Sequence, residues 1–290
     1  MIFNSPVYPI PPSFNTDEDL EVESTIKYLN YLKERGAKTV MTTAGTSQFN
    51  LLNNEEIRKL NSTVSEFKGN KILGLPPLST LHLKKEIELL NNKNLSDTYI
   101  LILFPERYYD DEQVITFFEE ICNHSNYPIL VHGNILRKGF GGNYEYSRPL
   151  LESLKNIDGF IGMKEESSTL MHSIKNIPEG LEVIVAGGSM RRFWSLEPHG
   201  ATTFLSGVGS FNPTIDEYFY NEYYNNPKNA KETMVQFETT TFNTFMSIGW
   251  HLSMRTALKE MGFIIDDRKP FKQVSEEQKS LIKTKLQNLL

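Results

Sequence analysis

Lys164 stands in the run Gly159-Phe-Ile-Gly-Met-Lys-Glu-Glu-Ser-Ser168, directly after the apolar stretch Phe160 to Met163. A lysine at the end of such a strand-like run points out of a barrel core, towards whatever the barrel binds. An amine in a partly apolar pocket loses ammonium solvation and becomes a nucleophile for a carbonyl carbon. A surface lysine just past a strand fits the same run, so the choice rests on what else gathers there.

Several other strand ends carry usable chemistry. Val131-His132 closes one apolar run and Arg137 follows a few residues later. Histidine moves protons near neutral pH. Thr43-Ala-Gly-Thr-Ser-Gln48 closes another. Its small residues let backbone N–H groups approach an anion, and Thr46 and Ser47 add hydroxyl donors, which suits a carboxylate. Gly187-Gly188-Ser189 and Ser206-Gly-Val-Gly209 add small residues that leave room for a small ligand beside the lysine. The 6 histidines have no recognised metal-ligand spacing, so no metal is expected.

The elements that must position these residues alternate along the chain. Strand-like runs occur at Pro6 to Ile10, Lys38 to Thr43, Lys71 to Leu75, Thr98 to Phe104, Pro128 to His132, Gly159 to Met163, Glu182 to Ala186 and Ala201 to Leu205. Amphipathic stretches lie between them, among them Asp19 to Arg35, Asn54 to Phe67, Thr80 to Asn91, Asp110 to His124 and Tyr146 to Lys155. Runs such as Tyr99-Ile-Leu-Ile-Leu-Phe104 are apolar throughout, as parallel strands covered on both faces are. Repeated strand-then-helix units predict an α/β fold, a (β/α)8 TIM barrel, over residues 1–226. An open doubly wound sheet would carry a glycine-rich turn after the first strand, and Val7-Tyr-Pro-Ile-Pro-Pro12 has none. Further helical stretches over 227–290, at Asn229 to Ser247, Trp250 to Met261 and Ser275 to Leu290, predict a C-terminal extension packed on the barrel.

Composition narrows the partners. The chain has 290 residues, a net charge of −6 and no basic tract, which argues against nucleic acid and anionic membranes. No apolar run is long enough to span a bilayer. One cysteine excludes an internal disulfide, and the first residues lack the pattern of a signal peptide. A cytoplasmic protein is expected.

The ordered set of motifs resembles the dihydrodipicolinate synthase/N-acetylneuraminate lyase family along the whole chain. Gly162-Met-Lys-Glu165 is similar to the family's Schiff-base lysine strand. Ala44-Gly-Thr-Ser-Gln48 followed by Leu52-Asn-Asn-Glu-Glu56 lines up on its Gly-Thr-Thr-Gly-Glu motif and downstream acid. Ala186-Gly187 through Gly200-Ala201, Phe211-Asn-Pro213, Ala257-Leu-Lys-Glu-Met-Gly262 and Arg268-Lys-Pro270 match later segments.

The resemblance implies that Lys164 condenses with pyruvate or another 2-oxo acid and that the imine serves as electron sink for making or breaking a C–C bond. It implies that Thr46, with Ser47, holds the substrate carboxylate and that Gly187 and Phe204 line the pocket. Arg137 matches an arginine that binds a second substrate's carboxylate. The departures fall on the family's proton relay. His132 replaces a tyrosine, Gly45 replaces the first threonine of the motif, and Arg107 stands where a tyrosine crosses a subunit interface, with Tyr108 or Tyr109 as substitutes. Gln48 replaces the motif's glutamate. The altered relay argues for an aldolase, lyase or dehydratase acting on an aldehyde or sugar acid. Dihydrodipicolinate synthase proper and a non-catalytic 2-oxo acid-binding barrel are the alternatives. No cofactor is implied beyond the lysine, and a homotetramer built from dimers is.

Overall fold

The computed structural model describes residues 2–42, 49–75, 79–103, 110–133 and 146–290. The eight strands are β1 (Val7–Pro9), β2 (Thr39–Met41), β3 (Asn70–Leu75), β4 (Thr98–Leu103), β5 (Ile129–His132), β6 (Phe160–Glu165), β7 (Glu182–Val185) and β8 (Thr203–Phe204). They follow one another in chain order in a single 8-stranded sheet, and each described ladder is parallel. With helices between the strands, the fold is the (β/α)8 barrel that the alternation predicts, and it carries further helices at its C-terminal end.

The chain divides into two compact units. The first comprises residues 1–4 and 70–205. It holds β3 to β8 with α3 (Thr80–Asn91), α4 (Asp111–His124), α5 (Arg148–Lys155), α6 (Leu170–Asn176) and α7 (Ser189–Leu196). Its strands are buried apolar runs, as in Ile100, Leu101 and Ile102 of β4. Side-chain oxygens start the helices by accepting orphan N–H groups: Ser79 for α3, Asp110 for α4, Ser147 for α5 and Thr169 for α6. The strand-then-helix alternation implies helices at α6 and α7, but without bounds. At 7 and 8 residues they are too short for a helical period to stand out.

The second unit comprises residues 5–69 and 206–290. It holds β1 and β2, α1 (Val22–Glu34), α2 (Asn54–Val64), α8 (Pro213–Asn225), α9 (Pro227–Thr233), α10 (Thr240–Ile248), α11 (Trp250–Glu260) and α12 (Glu276–Gln287). The helix expected from Asn229 to Ser247 is present as a continuous helical backbone, with a π-helical stretch, Met234–Thr239, between α9 and α10. Arg255 of α11 is buried, pairs with Asp267 and donates to the Pro12 carbonyl at 2.7 Å. Arg268 pairs with Glu56 of α2. On α8, the Asp216 carboxyl carbon lies 2.2 Å from where a Cβ on Gly209 would stand, so any side chain there would have to displace that carboxyl. Beside it, Glu217 accepts from the Tyr8 hydroxyl at 3.3 Å and faces Lys38 at 3.8 Å. Burial pushes both the Asp216 and the Glu217 carboxyls up, each to about 7.

Candidate active site

The site is built on the register of two strands. β5 and β6 begin paired at Ile129 and Phe160, then slip. After the slip Leu130 faces Gly162, Val131 faces Met163 and His132 faces Lys164. Ile161 is the additional residue, a bulge in β6. Without it His132 would pair with Met163, and a shift of one residue turns a strand's side chains to the opposite face. Beside Ile161, Gly162 lets β7 come close to β6. A Cβ there would lie 2.0 Å from the Glu182 carbonyl oxygen of β7.

Lys164 is therefore inside β6 rather than beyond its end, and it is 1 % exposed; His132 is 0 % exposed. The Lys164 Nζ lies 2.7 Å from His132 Nε2 and donates to Glu166 Oε2 at 2.9 Å. The third edge of the triangle, His132 Nε2 to the same Oε2, is 3.2 Å. Glu166 follows Lys164 by two residues and shares its side of the chain. It remains 25 % exposed, so the cluster reaches solvent through its carboxylate. Burial alone would push the Glu166 carboxyl up. The Lys164 ammonium and His132 outweigh burial and hold it well below the usual carboxylate range.

Protons can be arranged on this triangle in two ways. With Lys164 as ammonium, its N–H groups serve both the bare Nε2 and the carboxylate. With His132 as imidazolium, Nε2–H faces the carboxylate and the amine is neutral. A proton moving along the 2.7 Å edge converts one into the other, and Glu166 balances the positive charge in both.

Glu165 points to the opposite side and holds the strand end. Its Oε1 accepts from the Tyr146 hydroxyl at 3.1 Å, the Ser167 N–H at 2.7 Å and the Ser173 hydroxyl at 2.8 Å. Its Oε2 accepts from Arg192 Nε at 3.0 Å and Nη2 at 2.8 Å. The Tyr146 ring lies over Gly133, where a Cβ would meet it at 2.5 Å. Glu165 is fully buried, so this bidentate pair is a fixed anchor for the residues on either side of it.

Of the residues expected at the site, Lys164 and His132 come together. Gly187 joins them: it adopts φ +73° in the turn after β7, and a Cβ on it would lie 4.0 Å from Glu166 Cγ. Phe204 is buried on β8 with its ring 5.4 Å from that of Phe193 on α7. Gly45, Thr46, Ser47, Arg107, Tyr108 and Arg137 lie outside the described residues. Glu166 was not singled out in the sequence. The signal was available, since residues i and i+2 of a strand share a face and a carboxylate two positions past the lysine must flank it. Among the described residues no group of three or more His, Cys, Asp or Glu is placed to hold a metal ion, and no helix is long and apolar enough to cross a membrane.

Residues 4–289 match the model of the dihydrodipicolinate synthetase family. Among solved structures, a dihydrodipicolinate synthase from Thermotoga maritima superposes with a TM-score of 0.82 at 19% identity, covering 100% of both chains. YagE from E. coli K12, a prophage protein of the dihydrodipicolinic acid synthase family in complex with pyruvate, gives 0.83 at 14% identity over 98% of each chain. CdNal from Clostridium difficile, in complex with mannosamine, gives 0.82 at 15% identity over 99% of each chain. At these identities the likeness is one of fold. No curated protein matches the chain by sequence.

Proposed function

Because the chain belongs to the dihydrodipicolinate synthetase family, we propose that it is a class I carbon–carbon lyase whose Lys164 forms a Schiff base with pyruvate or another 2-oxo acid. The observation that carries the reading is the buried Lys164 amine, 2.7 Å from a histidine that can take its proton. The free amine attacks the ketone carbon and water leaves. The resulting protonated imine draws electrons from the adjacent carbon, so a C–C bond there can break or form through an enamine. His132 then moves protons to and from the intermediates, in the place of the family's tyrosine.

The motif matches support a reading in which Thr46 and Ser47, with the backbone at Gly45, hold the carboxylate of the 2-oxo acid and Arg137 holds an acceptor carboxylate. On this reading the second substrate is an aldehyde or a sugar acid, and the product follows aldol cleavage, condensation or dehydration. The same matches support a dimer of dimers in which Arg107 or Tyr108 reaches a neighbouring site, which light scattering tests; the single cysteine suits a cytoplasmic location.

Borohydride trapping decides the central claim. The protein is incubated with pyruvate and a panel of longer 2-oxo acids, reduced, and read by intact and peptide mass spectrometry. A reduced adduct on Lys164 supports the imine. Absence of any adduct across the panel overturns it.

A further inference from the structure

We infer that Glu166 is a second proton acceptor for the Lys164 amine, working beside His132 and returning its proton to the departing oxygen. The inference rests on imine formation at Lys164 as proposed above. It concerns a residue that the family's tyrosine and threonine relay does not contain.

Imine formation moves two protons from nitrogen to oxygen. The ammonium carries three hydrogens and the protonated imine one, while the ketone oxygen leaves as water with the other two. The first proton must go before attack, because an ammonium has no lone pair. The freed lone pair then forms the C–N bond, the carbonyl π pair moves to oxygen, and that oxygen takes up the first proton. The second proton leaves nitrogen to give the neutral carbinolamine. The hydroxyl receives it as the C–O bond breaks and the nitrogen lone pair closes the C=N bond.

Two acceptor atoms touch Nζ, Nε2 of His132 at 2.7 Å and Oε2 of Glu166 at 2.9 Å. Each can hold one of the two protons, and they lie 3.2 Å apart, close enough to exchange them. The charges acting on Glu166 suit it to the second. Burial favours its acid form, and Lys164 on β6 and His132 on β5 are the charged groups that oppose this. In the neutral carbinolamine the Lys164 charge is gone and burial acts with less opposition. When the protonated imine forms, the charge returns and drives the proton off the carboxyl towards the leaving hydroxyl. At 25 % exposure, against 1 % for Lys164, Glu166 is the more open of the two.

The test is rapid-quench borohydride trapping of wild type and Glu166→Gln with the 2-oxo acid that labels wild type, over roughly pH 6 to 9. A carboxylate that only held Nζ as ammonium would leave more free amine when replaced by an amide, and the imine would form faster. A proton carrier gives the opposite sign. Glu166→Gln should form the imine about 100-fold more slowly, reach the same final adduct, and keep its thermal midpoint. Glu166→Asp, one methylene shorter, should recover part of the rate. If Glu166→Gln does not fold, Glu166→Asp decides: imine formation slowed about tenfold or more supports the carrier role, and an unchanged rate overturns it. A Glu166→Gln rate equal to or above wild type overturns the inference and leaves the imine standing. A wild type that traps no 2-oxo acid overturns both.

Discussion

Lys164 and His132 occupy paired positions on neighbouring parallel strands, and their side-chain nitrogens lie 2.7 Å apart. Two cations that close would repel one another in a buried site, and the Glu166 carboxylate, 2.9 Å from one nitrogen and 3.2 Å from the other, faces both. The two nitrogens are thus brought together by backbone register rather than by a loop.

Lys164→Ala should abolish the reduced adduct and turnover while the far-ultraviolet circular dichroism stays that of wild type. Substantial residual turnover would show that another group activates the ketone.

His132→Phe removes the 2.7 Å acceptor but leaves Lys164 and Glu166 in contact. Turnover should fall by about 10²- to 10⁴-fold, and the pH–rate profile should lose its histidine limb. The adduct should still accumulate slowly. A wild-type rate would make His132 a packing residue.

The barrel was legible because most of its strands centre on a short apolar run, and Lys164 and His132 because each follows such a run directly. Glu166 and the clamp on Glu165 were harder to see. Lys164-Glu165-Glu166 reads as a solvated charge cluster until strand parity sorts its members onto two faces, and the partners of Glu165 come from Tyr146, Ser173 and Arg192, which no local pattern links to it. The slip at Ile161 has no composition signal at all, and the need for a missing Cβ at Gly162 appears only once β7 is in place.

Arg192→Ala should destabilise the protein by about 3–5 kcal/mol, since it strips the bidentate partner from a fully buried carboxylate. Urea unfolding measures it. Loss under about 1 kcal/mol would mean that the Tyr146, Ser167 and Ser173 donors satisfy Glu165 by themselves.

Stability should depend on pH through Asp216. Its folded carboxyl is pushed up to about 7 by burial, whereas an unfolded aspartate titrates near about 4. Between these values the folded chain keeps a proton that the unfolded chain has lost, so stability falls as pH rises through this window and levels off above it. Asp216→Asn should be the more stable protein by about 4 kcal/mol above pH 7, and the difference should vanish near about pH 4. Chemical unfolding at both ends of the range checks the sign.

The additional residue in β6 makes the chemistry depend on a count. Upstream of Ile161 the strand runs in one phase with β5, and downstream in the other. Removing Ile161 would change no side chain elsewhere, yet it would exchange inside for outside from Lys164 onward or from Phe160 back. Either Lys164 would then turn towards the helices, where Glu165 now sits, or Phe160 would lose its place. The deletion should therefore lose the borohydride adduct or fail to fold, and a deletion protein that still traps a 2-oxo acid would show that β6 can reset its phase. Among the described ladders, the β5–β6 pair thus carries a parity that decides which way Lys164 faces.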